Sequence, residues 1–214
     1  MKAAVLGIWL AVFPEQGQLL DRIAVTVDDR VITLGDVIEE IRLAALLDGT
    51  EVVLTPESKR RAAERLVENI LLSRDMELTR FPLPTDEEVE DFVARIRSAR
   101  GLDAEAWRAE MQRCRLDPGS VREQLRQRLG VLRYIEFRFR PQVQLADADV
   151  RQYVRDRTQT GSSTAAGNLE HALEAARQKV ESALAAQRIN ELVDAWLKDA
   201  KQRSRIRFRE AAFQ

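Results

Sequence analysis

The side chains able to do covalent or proton-transfer chemistry are few in this sequence. His171 is the only histidine, so a Ser-His-Asp triad and a two-histidine metal site are both excluded by count. Cys114 is the only cysteine. No disulfide can form within the chain, and the thiol follows Trp107 and Met111 at helical apolar spacing, the place of a small core residue rather than a nucleophile. Glycine-rich phosphate loops of the dinucleotide and triphosphate types are both missing. Glu87, Glu88, Glu90 and Asp91 gather carboxylates, but Thr85 stands just ahead of them. Acidic residues at a helix start, facing its positive end, explain that cluster better than metal binding does. No catalytic residue, cofactor or metal ligand is therefore assigned.

Two patterns point to binding instead. Between Arg113 and Arg140 there are eight arginines against three acids, a local excess of positive charge that could contact phosphates. Arg122, Arg126 and Arg133 fall opposite an apolar ridge, so a solvated helix face accounts for them, and no nucleic-acid partner is expected. The second pattern is Phe92, Trp107 and Met111. Core packing is their default explanation, yet Met and Trp also suit a surface that accepts many apolar sequences. These three are the candidate contacts for a bound chain.

The elements that must position these residues are mostly helices. The 214 residues are 45% hydrophobic and 32% charged, with only nine glycines and six prolines. That is enough apolar surface for a real core, and its spacing is mainly helical. The charges nearly cancel, 34 basic and 35 acidic, for a formal charge of −1. Nothing global points to nucleic acid or an anionic membrane. Leu34 to Leu47 carries apolar residues every three or four positions and stops at Asp48-Gly49. Thr55-Pro56-Glu57 starts a second helix with an inner stripe of Ala63, Leu66, Val67, Ile70, Leu71 and Leu78. Pro82 and Pro84 break the pattern, and Thr85-Asp86-Glu87-Glu88 restarts it with a capping box. Asp103 caps a short helix. Asp117-Pro118 opens a long one, with a ridge of Val121, Leu125, Leu129, Leu132, Ile135 and Phe139 that Pro141 closes. Asp147 can cap another short helix carrying Val150, Tyr153 and Val154.

The passage from Asp21 to Val37 departs from this helical pattern. Ile23, Val25 and Val27 alternate with Ala24 and Thr26, which is strand periodicity. Asp28-Asp29 supplies a turn, Val31-Ile32 resumes a β-branched run, and Thr33 with Asp36 forms a capping box. This hairpin-to-helix passage resembles the opening of the SurA family of periplasmic chaperones. The likeness extends to about Tyr153 and returns at Asn190-Glu191-Leu192-Val193-Asp194-Ala195-Trp196-Leu197 and Arg205-Ile206-Arg207-Phe208. The resemblance implies a mainly α chaperone core, with a small N-terminal β-hairpin completed by a C-terminal strand. The parvulin-type prolyl isomerase domains of the family are missing here, since only Arg155 to about Asn168 separates the two parts.

Four segments are expected along the chain. Residues 1–20 are a signal peptide or N-terminal anchor, because Lys2 precedes an apolar run of eleven residues, too short to span a bilayer. Residues 21–157 form the helical core, 158–168 a flexible glycine- and serine-containing tether, and 169–214 a long helix and strand that, as the resemblance implies, pack back on the core. In Arg205 to Arg209 charged and apolar residues alternate, as an edge strand that discourages unwanted pairing would. The resemblance implies an ATP-independent periplasmic holdase for unfolded outer-membrane or secreted polypeptides, without stable membrane insertion. A homodimer with swapped helices stays open. So do two alternatives, a structural module with one fixed partner and, less favoured, a peptidyl-prolyl isomerase.

Overall fold

The computed structural model describes residues 22–159 and 169–214, and it is mainly helical with a small antiparallel sheet. The expected leader and positions 160–168 of the tether lie outside the described residues. Strand β1 (Ile23–Val27) turns through Asp28-Asp29 into β2 (Arg30–Thr33). Asp28 sits at φ +51°, a left-handed conformation that a short polar side chain tolerates. The register slips at Ala24: Ile23 stands opposite Thr33 while Val25 stands opposite Ile32, so β1 holds one extra residue. This bulge overturns the simple alternation expected from sequence. Ala24 is fully buried and Ile23 is 46% exposed.

Seven α-helices follow among the described residues, and most start where the side-chain chemistry demands. Thr33 caps α1 (Leu34–Asp48) with the reciprocal Asp36 bond, and Gly49 ends it at φ +71°. Thr55 caps α2 (Pro56–Leu78), where Ser58 completes a capping box. Thr85 and Glu88 box α3 (Asp86–Ala99), Asp103 caps α4 (Ala104–Arg113), and Asp117 caps α5 (Pro118–Phe139). Helix α6 spans Asp147–Gln159, so Thr158 and Gln159 belong to a helix rather than to the tether. Helix α7 (Leu169–Arg203) has 35 residues, about 52 Å at 1.5 Å each.

The tail closes the sheet. Strand β3 (Ile206–Phe208) pairs antiparallel with β1, giving the order β2-β1-β3. Two clusters of buried side chains lie beneath. The first sets Val25, Val27 and Ile32 of the sheet against Ala63, Val67 and Leu71 of α2, with Ile189, Val193 and Leu197 of α7 and with Phe213. The second joins Leu43 and Leu46 of α1 to Trp107, Met111 and Cys114 and to Val121 and Leu125 of α5. Helix α5 serves both, through Val131 and Phe139 in the first.

That double duty explains two departures from the expected stripes. Leu132, expected on the α5 ridge, is 51% exposed, while Val131 and Tyr134 are buried instead. The inward face rotates where α5 leaves α4 and reaches the first cluster. Leu78, expected inside, ends α2 beyond its last covering neighbour and is 76% exposed.

Candidate functional site

The three client-contact candidates do not form a surface. Trp107 and Met111 are buried in the second cluster, and Phe92 packs partly buried against it. Their helical spacing serves core packing, so as an open binding set they are withdrawn. Cys114 lies beside them, fully enclosed, and burial pushes its thiol above the ordinary value. His171 falls within α7, and its side chain is outside the described residues.

The arginine run of α5 and the acidic start of α3 answer one another. Arg122 reaches Glu90 at 3.1 Å, Arg126 reaches Asp86 at 2.5 Å, and Arg133 reaches Glu88 at 2.7 Å. Arg126 holds the Asp86 carboxyl below its ordinary range, and the Thr85 N–H does the same for Glu88, followed by Arg133. Of the eight arginines only Arg115 lacks an ion pair among the described residues. The run is therefore an interhelical ladder and not an open phosphate surface.

Glu40 stands outside every expectation drawn from the sequence. It is 3% exposed, and Arg128 grips both its oxygens at 2.8 and 2.7 Å while Arg65 donates to Oε1 at 2.9 Å. The charge ties α1 to α2 and α5. Its signal in the sequence is its place inside the Val37–Ile41 stripe, a carboxylate where an apolar residue is due.

An open cleft of mixed polar and apolar lining lies at the far end of α2. A cleft of about 620 Å³ opens between α2, the end of α7 and the hairpin turn. Its apolar lining is Leu71, Leu78, Trp196 and Ala200, and its rim carries Arg74, Asp75, Arg203 and Arg205. A second hollow of about 300 Å³, lined in part by Val27, Ile70 and Glu77, shares Leu71, Arg74 and Leu78 with the first. Asp75 accepts a hydrogen bond of 2.6 Å from the Tyr134 hydroxyl, which burial and then this bond push above its ordinary pKa. The Tyr134 ring meets Phe81 edge-on at 5.5 Å, and Phe81 lies 5.1 Å from Phe137, itself 60% exposed. Leu78 and Phe137 thus leave large apolar side chains in water near one end of α2.

The turn at the mouth of this cleft holds the tail in place. The Asp28 N–H donates to the Arg205 carbonyl at 3.0 Å, and the Arg205 N–H donates to Asp28 Oδ1 at 2.8 Å. Arg74 binds Oδ2 at 2.7 Å. The Arg205 N–H foremost, then Arg74, keep the Asp28 carboxyl below its ordinary value. Among the described residues no group of three or more His, Cys, Asp or Glu side chains could hold a metal. A scan against protein-family models finds no match for this chain, and a search of the curated proteins finds none.

Proposed function

We propose that this chain is an ATP-independent holdase that takes up unfolded polypeptides, working in the periplasm on outer-membrane or secreted proteins. The observation that carries the proposal is the cleft whose apolar lining, Leu78 and the half-buried Trp196, stays accessible between charged pairs. Leu78 and Trp196 are the part of this mixed lining that an apolar side chain of a client would cover. Its strength is suited to holding and letting go. Burying a Leu, Phe or Trp side chain contributes about 1.5 to 3 kcal/mol, so Leu78, Phe137 and Trp196 together contribute roughly 5 kcal/mol. That is close to the low end of the entropic cost of association, about 4 kcal/mol, so one chain binds a client weakly and releases it without an energy source. No helix among the described residues is long and apolar enough to cross a membrane.

The test is light scattering of an unfolded β-barrel protein diluted from denaturant. The purified chain is expected to slow its aggregation, and Leu78→Asp to weaken that effect with the melting temperature unchanged. Identical scattering with and without the chain rejects the holdase. One tight stoichiometric partner in a pull-down, with no binding to unfolded chains, favours a fixed interaction module.

A further inference from the structure

Strand β3 is an edge, and the parity of its hydrogen bonds shows which of its groups are unused. The Arg205 carbonyl accepts from Asp28 and the Arg209 N–H donates to Ala24, with Arg207 opposite Thr26 between them. The odd-numbered residues therefore spend their backbone groups on β1. Ile206 and Phe208 turn theirs outward. Among the described residues their N–H and C=O groups have no hydrogen-bond partner, four in all. Such an edge accepts another strand.

The side chains beside those groups state what kind of strand. Arg203, Arg205, Arg207 and Arg209 are all exposed, and among the described residues none makes an ion pair. The five arginines of α5, by contrast, are all ion-paired. Arg205 and Arg207 share the face opposite Ile206 and Phe208, because side chains alternate along a strand. On the other face Phe208 packs beneath Arg60, whose guanidinium carbon lies 3.9 Å from the ring centroid. A strand laid on this edge would meet positive charge on one face and apolar surface on the other. At its Arg205 end begins the cleft of Leu78 and Trp196.

We propose that the β3 edge binds extended polypeptide segments in which acidic residues alternate with apolar ones, each added segment pairing with Ile206 and Phe208. Opposite charges directly across a strand pair favour it, and like charges oppose it. The same arginines disfavour pairing between two copies of β3 and favour an acidic chain as the occupant of this edge. This proposal rests on the holdase reading and specifies its client class.

The experiment uses the full chain and a fluorescent peptide of about eight residues, enough to cover a typical strand. One peptide alternates Glu with Val, one alternates Lys with Val, and a third is the Glu peptide N-methylated at alternate amides. The Glu peptide is expected to bind, more weakly as salt rises, and the other two at least about tenfold more weakly. Arg207→Glu/Arg209→Glu is expected to lose about tenfold in affinity for the Glu peptide with its melting curve unchanged, both positions being solvent-exposed and on the same face of the strand. Amide exchange at Ile206 and Phe208 is expected to slow on binding. Equal binding of the N-methylated peptide overturns strand addition, and equal binding of the Lys peptide overturns the charge selection. Tighter binding of a single-stranded oligonucleotide, which competes the peptide away, overturns the proposal in favour of a polyanion site. If the double variant still suppresses aggregation fully while no Glu peptide binds the parent chain, strand addition fails and the holdase stands.

Discussion

Two charged residues hold more of this molecule together than their exposure patterns suggest. Glu40 is enclosed, but its partners Arg65 and Arg128 reach solvent. Removing the carboxylate frees two guanidinium groups that water can take up, whereas removing both arginines strands a buried anion. Glu40→Gln is expected to cost about 1 to 2 kcal/mol and Arg65→Met/Arg128→Met about 3 to 5 kcal/mol, measured by urea unfolding. Equal losses would mean that the pair energy, not the stranded charge, dominates. Asp28 acts differently. Its carboxyl is depressed on folding from the ordinary 3.8, so it contributes stability above that pH which is lost as pH falls through the folded value. Asp28→Asn keeps a left-handed-tolerant residue and an acceptor oxygen for Arg205. Its stability is expected to lie below that of the parent near neutral pH and to converge with it in acid. A constant gap across the pH range would remove the charge from the account.

At the scale of elements, caps and stripes were legible and faces were less so. The Thr33, Thr55, Thr85, Asp103 and Asp117 caps sit where the sequence places them, because a cap is decided within three residues. The inward face of a long helix is decided by its neighbours. Leu125 and Leu132 look alike along the α5 ridge, yet Leu125 is fully buried and Leu132 is half exposed. Leu125→Ala is expected to cost about 2 to 5 kcal/mol and Leu132→Ala less than about 0.5 kcal/mol. Chemical denaturation of the two variants separates them, and similar losses would mean that Leu132 is covered in solution. The arginine ladder belongs here too. An isolated α5 looks like a basic surface, and only docking on α3 shows the charges to be answered.

For the whole molecule, the tail is part of the first core. Phe213, one residue from the end, is 3% exposed against the sheet, and its ring lies 6.3 Å from that of Phe208. The two clusters are joined through α1 and α5, so they are expected to melt together. Phe213→Ala should lower stability by about 3 to 5 kcal/mol. Tryptophan fluorescence and far-ultraviolet circular dichroism should shift by the same amount, since Trp196 packs against the first cluster and Trp107 lies in the second. Two separate transitions would show that each cluster unfolds by itself.

The amino-acid order alone determined the helical class, the hairpin entry, the starts of α1 to α5 and the arginine alternation of the last strand, since each is set by contacts within a few residues, whereas Asp147, expected to cap α6, is the first residue of that helix. Pairing of β3 with β1 was expected only through the family resemblance, and the choice between core and surface for Trp107 and Met111 and the burial of Glu40 required the folded chain. So did the exposure of Leu78, which ends its helix beyond the neighbours that cover the rest of the stripe. Burial depends on which surfaces meet across long stretches of sequence, and hydrophobic periodicity marks a face without naming what will cover it.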